Sequence, residues 1–321
     1  MRTGTDVVTA TLTELSLPLA GQTSGKVREA WPLGDGRRLL VTTDRFSAMD
    51  RIVGTVPHKG QVLNRLAAWW FARAADLVDH HLVSVPDPNC SIVADVTPLP
   101  VEVVVRGHIT GSTSTSLWTL YEQGGRHLYG HDLPDGLRQH QALAAPMVTP
   151  TTKARDGAHD APISSAEVVA QGLVEGELWD RVVDVAVRLF ERGAKLAAES
   201  GLVLADTKYE FGVDADGRLL LIDEVHTPDS SRYWVAETFE ERVAAGLAPE
   251  SHDKEPVRLA LKALGFRGDG PVPELPAEIW AETSRRYVEL FESLTGDRIV
   301  ETDGPLADRI ITNLTEAGVI T

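Results

Sequence analysis

Apolar and polar positions alternate in short runs over the first hundred residues, and helical spacing takes over in a few bounded segments. Residues 25–33 (GKVREAWPL) run through a Gly34-Asp35-Gly36 turn into residues 38–43 (RLLVTT), the pattern of a β-hairpin. Residues 61–78 (QVLNRLAAWWFARAADLV) repeat apolar side chains at helical spacing and predict an amphipathic helix. The proline-punctuated stretch 86–100 predicts a lobe boundary. Residues 101–107 (VEVVVRG) read as a buried strand, and residues 113–145, rich in Gly, His and polar side chains, as a long active-site loop with one short helix. Residues 164–200 predict a helix or helix pair, with Ser164-Ser165-Ala166-Glu167 as the capping signal. From Arg258 onward short helices predominate, one starting near Pro276 and another near Pro305. No internal repeat or low-complexity tract interrupts this order. A central mixed sheet carrying helices, an α+β arrangement, fits it better than regular βαβ alternation.

The segment that breaks the apolar pattern most informatively is 204–234 (LADTKYEFGVDADGRLLLIDEVHTPDSSRYW). Two apolar strand-like runs flank a VDADGR turn, yet Asp206, Lys208 and Glu210 stand two apart on the first run and share one face. The second run, LLLID, ends in Asp223-Glu224 and leads to a Ser-Ser-Arg turn. Such a hairpin suits a floor for a metal ion and an anionic substrate. A solvent-facing hairpin laced with salt bridges is the alternative, and the apolar flanks argue against it because buried charges need partners.

Composition narrows the classes. The 321 residues allow one large domain or two to three lobes, and 43 % hydrophobic with 24 % charged residues is ordinary for a soluble globular chain. A net charge of −16 argues against a general nucleic-acid or membrane-surface binder and makes local basic clusters more telling. No run approaches the roughly 18 apolar residues of a membrane span. The N-terminal residues lack a basic region followed by an apolar core, so a cytoplasmic location is expected. The single cysteine, Cys90, rules out an intrachain disulfide and a Cys-rich zinc site, and reads as a spectator in a loop.

Four further constellations carry candidate chemistry. In Gly25-Lys26-Val27-Arg28 a glycine lets the backbone approach a phosphate, and Lys26 and Arg28 alternate onto one face; a basic surface strand would look the same. Residues 43–50 (TDRFSAMD) followed by Pro57-His58-Lys59-Gly60 suit polar ligand contacts or a helix-capping turn. Arg106, directly after a buried strand and followed by two glycines and Ser112, suits a carboxylate or phosphate cradle, with a structural arginine as the rival. Lys153 follows a proline-stiffened turn, and His159-Asp160 suits proton transfer or a plain surface pair.

Taken together, GKVRE, TTDRFSAMD, PHKGQVLN, VVVRGHITGS, TPTTKARDGAHD, LADTKYEFG and IDEVHTPDSSRYW resemble, in order, the SAICAR synthetase (phosphoribosylaminoimidazole-succinocarboxamide synthase) family over residues 25–234. The resemblance implies an α+β fold with a strand-rich N-terminal lobe bearing a kinase-like ATP hairpin, a larger mixed-sheet second lobe and C-terminal helices. The corresponding boundaries are 1–100 for an ATP-covering lobe, 101–250 for a substrate- and metal-binding lobe, and 251–321 for helices packing on them. It further implies a ligase that uses ATP and Mg²⁺ to join L-aspartate to the carboxylate of carboxyaminoimidazole ribonucleotide through an acyl phosphate, in purine biosynthesis. By resemblance Gly25, Lys26, Val27 and Arg28 cover the ATP phosphates, with adenine sandwiched near residues 98–102. Glu210 and Asp223 reach Mg²⁺. Arg106, Ser112, Lys153, Asp160 and Arg232 hold the imidazole nucleotide. Lys208, Asp206 and Asp160 are the candidate catalytic groups.

The chain departs from the family pattern at Glu29, Trp31 and Met49, and at His108 and His226, which lie near the implied substrate pocket. Expected partners are small molecules, with neither nucleic acid nor membrane; a homo-oligomer stays open. Two other activities stay open: a specialised-metabolism paralogue amidating a related carboxylated azole nucleotide with aspartate, which shares the same motifs and which only substrate profiling separates, and a kinase-like phosphotransferase that needs no aspartate. A non-catalytic binding module would lack some of Lys26, Glu210 and Asp223, and all three are present.

Overall fold

The computed structural model describes residues 11–113, 115–153 and 161–321. In chain order its elements begin with β1 (Thr23–Ser24), β2 (Arg28–Pro32), β3 (Arg37–Thr42), β4 (Arg45–Ala48), β5 (Arg51–Thr55) and α1 (Lys59–Ala74). Next come β6 (Asp79–His80), β7 (Leu82–Asp87), β8 (Cys90–Ala94), β9 (Thr97–His108), α2 (Leu117–Glu122), β10 (His127–Leu128), β11 (His131–Asp132) and β12 (Ala142–Thr152). The rest is α3 (Ser165–Ala170), α4 (Gly176–Glu199), β13 (Leu202–Val213), β14 (Leu219–Ile222), β15 (Ser231–Val235), α5 (Ala236–Ala244), α6 (Glu255–Ala263), α7 (Ala277–Thr295) and α8 (Leu306–Glu316). This is the α+β mixture the residue pattern predicts. Among the described residues no helix is long and apolar enough to cross a membrane.

The chain divides into two compact units. The first comprises Met1–Arg65, Val83–Ala94 and Lys254–Thr321, and the second Leu66–Leu82 and Asp95–Asp253. In the first, the expected hairpin forms from β2 and β3, which pair antiparallel from Arg28↔Thr42 to Pro32↔Arg38 inside a sheet ordered β1-β2-β3-β8-β7. Trp31, Leu39, Val41, Cys90 and Ile92 from this sheet bury against Leu12, Leu15 and Leu17 and against Ile310, Leu314 and Ile320 at the C-terminus. Cys90 therefore lies in a core strand rather than in a loop, and burial pushes its thiol pKa up, which suits an unreactive spectator. The stretch 86–100 contains the passage from the first unit to the second, between Ala94 and Asp95, and its prolines lie in strands: Pro86 in β7, an edge strand, and Pro98 and Pro100 in β9. Edge positions and bulges tolerate a residue without an N–H, and the pairing of β9 shifts register beside Pro98.

The second unit is built on a sheet ordered β12-β9-β13-β14-β6, with β15 also paired to β13. The β14–β6 pair is parallel and the others antiparallel, so the sheet is mixed. The segment 164–200 forms two helices, and α3 opens with the capping box read from sequence, Ser164 to Glu167. Helix α4 packs on β13 and β12 with Trp179, Val182, Ala186, Leu189, Phe190, Gly193 and Ala197 buried. The glycines set its approach: a Cβ on Gly193 would lie 2.2 Å from the His226 ring, and one on Gly107 2.8 Å from Phe190.

Helices α7 and α8 start at Pro276 and Pro305, as the sequence predicts. Helix α8 is pinned in the first unit by a buried ion pair. Arg309 Nε and Nη2 donate to Asp87 at 3.0 and 3.1 Å, and Asn313 Nδ2 adds a bond of 2.6 Å to the same carboxylate. Asp87 is 1 % exposed. Removing one partner of such a pair strands the other, so Arg309→Met is expected to destabilise the protein by about 3 kcal/mol in urea unfolding. A loss under about 0.5 kcal/mol, the size of an ordinary surface change, would show that α8 docks without it.

Candidate active site

Strand β13 lies between β9 and β14, and strand alternation sends Tyr209 into the core while Lys208 and Glu210 project from the other face. The Lys208 ammonium gathers three carboxylates: Glu102 Oε1 at 3.2 Å, Glu210 Oε1 in direct contact, and Asp223 Oδ2 at 3.6 Å. Register explains the convergence, because Glu210 stands opposite Glu102 on β9 and opposite Ile222 on β14, the residue before Asp223. Asp223 has a left-handed backbone at φ +65°, which ends β14. Lys153 pairs with the other oxygen of Glu210, and Thr151 Oγ1 donates to Glu102 Oε2 at 3.3 Å. Burial alone would lower the Lys208 pKa; the carboxylates of Glu210, Asp223 and Glu102 outweigh it and hold it well above the usual lysine value.

Two residues before Lys208 on β13, Asp206 forms a second cluster. Its Oδ2 accepts from Arg106 Nη1 at 3.2 Å and from Arg232 Nη1 at 2.5 Å, and the carboxylate is 3 % exposed. Arg106 and Arg232 flank Asp206 in register, one from β9 and one from β15. Arg106 Nε also donates to Thr149 Oγ1 at 2.8 Å. Two guanidiniums on one carboxylate leave a net positive cluster, a cradle for an anionic ligand. Gly111 closes beside it at φ +107°, where an added Cβ would meet Ser116 Cβ at 2.4 Å and Arg232 Nη2 at 3.4 Å, and Ser112 follows it, half-buried. Tyr129 adds a polar wall: its hydroxyl donates to Thr115 O at 2.7 Å, and burial, opposed by the nearby Arg106 charge, raises its pKa.

In the first unit the Gly25-Lys26-Val27-Arg28 segment forms a tight turn, with Gly25 N donating to Arg28 O at 2.8 Å. Lys26 is exposed, and its Nζ pairs with Asp50 at 2.5 Å. Arg28 opens β2 and is half-buried. A Cβ on Gly25 would meet only Arg28 O, at 3.5 Å, so no protein atom demands a glycine there.

The structure thus brings Lys208, Glu210, Asp223 and Lys153 into one cluster and Asp206, Arg106 and Arg232 into another on the same strand. Asp160, with His159, lies outside the described residues. Tyr129 escaped the sequence reading, and Glu102 entered it only as the end of the adenine-flanking stretch 98–102, not as a partner of Lys208; it sits in a run otherwise apolar, VEVVV, and that lone acid was the available signal. His226 is 1 % exposed and belongs to the core. Its Nε2 meets the Tyr209 hydroxyl and its ring stands edge-on to Trp70 at 4.6 Å, so it lies with Tyr209 rather than with Lys208 and Glu210. Burial drops its pKa to about 3, leaving a neutral ring. His108 packs against Trp234 and Phe239, with ring centroids 5.1 and 5.7 Å away. A cavity of about 300 Å³ lined by Ala75, Asp79, His80, Asp214, Arg218 and Leu220 contains none of these predicted site residues.

Among the described residues no group of three or more His, Cys, Asp or Glu side chains is arranged to hold a metal alone. Glu210 and Asp223, two hard oxygen donors already facing one cation, fit Mg²⁺, which takes one or two carboxylates and fills its remaining positions with water and phosphate oxygens.

A family model described as SAICAR synthetase matches residues 22–272. A putative phosphoribosylaminoimidazole-succinocarboxamide synthase 2 of Mesorhizobium japonicum is 48 % identical over 307 residues, covering 95 % of this chain and 98 % of that protein. A phosphoribosylaminoimidazole-succinocarboxamide synthase of Legionella pneumophila is 49 % identical over 306 residues, covering 94 % and 97 %. Among solved structures, a SAICAR synthase from Saccharomyces cerevisiae complexed with SAICAR superposes with a TM-score of 0.76 at 33 % identity, covering 90 % of this chain and 99 % of that one.

The raised Lys208 pKa sets a direction for stability against pH. Its contribution is fully present below the unfolded lysine value of about 10.4 and is lost as pH rises through the higher folded value. The stability gap between the wild type and Lys208→Met should therefore stay flat from about pH 7 to 10 and close only above that. A gap closing between about pH 6 and 9 in urea titrations would place the ammonium outside the carboxylate cluster.

Proposed function

This chain belongs to the SAICAR synthetase family, and we propose that it joins L-aspartate to the carboxylate of carboxyaminoimidazole ribonucleotide at the expense of ATP. The observation that carries the reading is the layout of β13, which sets a double-arginine anion cradle at Asp206 two residues from an ammonium ringed by carboxylates at Lys208. A carboxylate is a poor electrophile because its leaving group would be oxide. Transfer of the γ-phosphoryl group of ATP to a carboxylate oxygen gives an acyl phosphate and ADP. The aspartate amine then attacks the acyl carbon, a C–N bond forms, the C–O bond to phosphate breaks, and the amine loses a proton.

In this scheme Lys26 and Arg28 cover the ATP phosphates, and Gly25 admits the backbone to them. Glu210 and Asp223 hold Mg²⁺, which when bound neutralises charge on the phosphate oxygens. Lys208, kept protonated by its carboxylates, offsets charge on the phosphoryl group in flight. Arg106 and Arg232 grip the anionic nucleotide with Ser112, Lys153 and Asp160, and Asp206 orients the two arginines from behind. With Glu210 and Asp223 committed to a metal ion, Glu102 would remain as the partner that keeps Lys208 in place.

The direct test is ADP formation by the purified protein with Mg-ATP, aspartate and carboxyaminoimidazole ribonucleotide. Release that needs all three supports the ligase, whereas ADP and a phosphorylated product without aspartate would make it a phosphotransferase. Asp223→Asn is expected to abolish Mg-dependent turnover with the fold intact, since Asn tolerates the left-handed backbone at this position; retained activity would remove Asp223 from the metal site. Arg232→Ala should raise the KM for the imidazole nucleotide by about 10-fold or more, as expected for a lost charge-assisted contact, and an unchanged KM would put Arg232 outside the pocket.

A further inference from the structure

All four carbonyls of the Gly25-Lys26-Val27-Arg28 turn accept hydrogen bonds from the protein, three of them from one side chain. The Arg45 guanidinium at the start of β4 donates from Nη2 to Gly25 O at 2.9 Å and Arg28 O at 3.4 Å, and from Nε to Lys26 O at 3.1 Å. Its Nη1 donates to Thr13 O and to Glu29 Oε1, each at 2.5 Å. The five donors of a guanidinium are thereby all used. The remaining carbonyl, Val27 O, accepts from Thr43 N and Thr43 Oγ1, both at 2.9 Å. Arg45 is 8 % exposed and Glu29 2 %; Glu29 Oε1 also accepts from Ser24 Oγ at 2.9 Å, and its other oxygen accepts from Gln22 Nε2 at 3.2 Å.

A trans peptide converts this arrangement into a statement about the amides. The C=O of one residue and the N–H of the next point to opposite sides of the chain. With Gly25 O and Lys26 O drawn inward to Arg45, the N–H groups of Lys26 and Val27 are aimed outward. Among the described residues neither amide donates to a protein acceptor, and Lys26 is exposed beside them. Successive outward amides next to a lysine make a concavity for an anion.

We propose that Arg45 is the positioning residue of this loop: by gathering the carbonyls of Gly25, Lys26 and Arg28 it aims the Lys26 and Val27 amides at the phosphates of a nucleoside polyphosphate. This rests on the reading above that residues 25–28 cover ATP. Arg45 touches no ligand; its side chain is spent on the loop's inner face. A lysine keeps the charge and the Glu29 pair, yet a single nitrogen with three donors cannot serve acceptors spread around a planar fork.

The test compares Arg45→Lys, Thr43→Val and Lys26→Ala with the wild type by steady-state kinetics, and by amide exchange with and without Mg-ADP. In Arg45→Lys the KM for ATP should rise about 10-fold with kcat and the KM for the imidazole nucleotide within about 2-fold, the split expected when ground-state binding alone is lost. The slowing of Lys26 and Val27 amide exchange by Mg-ADP should disappear. Thr43→Val, which removes one of two donors to Val27 O, should raise the KM for ATP by about 2- to 3-fold, in keeping with one neutral hydrogen bond. A wild-type KM for ATP and intact protection in Arg45→Lys would overturn the proposal; should that variant fail to fold, a wild-type KM in Thr43→Val would do so. Lys26→Ala separates the two readings. If it leaves ATP affinity unchanged and Mg-ADP protects no amide from Gly25 to Arg28 in the wild type, the loop does not bind phosphate and the underlying reading falls first.

Discussion

The Lys208 ammonium is the constraint around which the second unit is arranged. A charged group largely withdrawn from water is tolerated only when opposite charges and hydrogen bonds replace its hydration. Glu102 and Glu210 meet that demand from β9 and β13 and Asp223 from just past the end of β14, and each can do so only if β9, β13 and β14 hold one register. A one-residue slip of β13 would turn Lys208 into the core and Tyr209 out of it. Burial of Tyr209 on the opposite face, against the His226 ring that itself meets Trp70, therefore locks the same register that the charges need. Packing and electrostatics select one alignment for independent reasons, which is the consistency expected of a uniquely folded sheet.

The same strand sorts charge along its length. At Asp206 two arginines share one carboxylate, and at Lys208 and Glu210 three carboxylates share two lysines, with Lys153 on the far oxygen of Glu210. One end is net positive and the other net negative, set by residues two and four apart. An anionic nucleotide suits the first and a cation the second. Their spacing along one rigid element keeps the two in fixed relation, the precision that phosphoryl transfer requires.

Much of this was legible in the sequence because it is local. Alternating charges on an apolar strand, the Ser164–Glu167 capping box, the Gly34-Asp35-Gly36 turn and helix starts at Pro276 and Pro305 each depend on a few neighbouring residues. What stayed hidden depends on pairing across the chain. Glu102 looks like one acid in an apolar run until register sets it opposite Glu210. Arg45 reads as part of a polar turn until its five donors are traced to four carbonyls and the Glu29 carboxylate, 16 to 32 residues away. Prolines in 86–100 mark the passage between the two units at Ala94 and Asp95, but not that an edge strand and a bulge hold them there. His226 lies between pocket-like motifs in sequence, and only the φ of +49° and the Tyr209 contact turn it toward the core.

Arg45 and Lys208 represent opposite uses of a guarded cation. Lys208 keeps its charge available: its partners are carboxylates that a metal ion can draw on, so the ammonium is held but not consumed. Arg45 gives up every donor to fixed acceptors, and its charge is answered by Glu29. What it delivers is backbone orientation, and the positive potential at the loop comes instead from amide dipoles and Lys26. A cation placed at the loop's outer face would attract phosphate as well, but it would also attract the abundant carboxylates of a chain carrying −16. Lys26 already shows that cost in its contact with Asp50. Amides aimed from behind by a buried arginine present partial positive charge that no mobile carboxylate side chain needs to neutralise, and they do so before any ligand arrives.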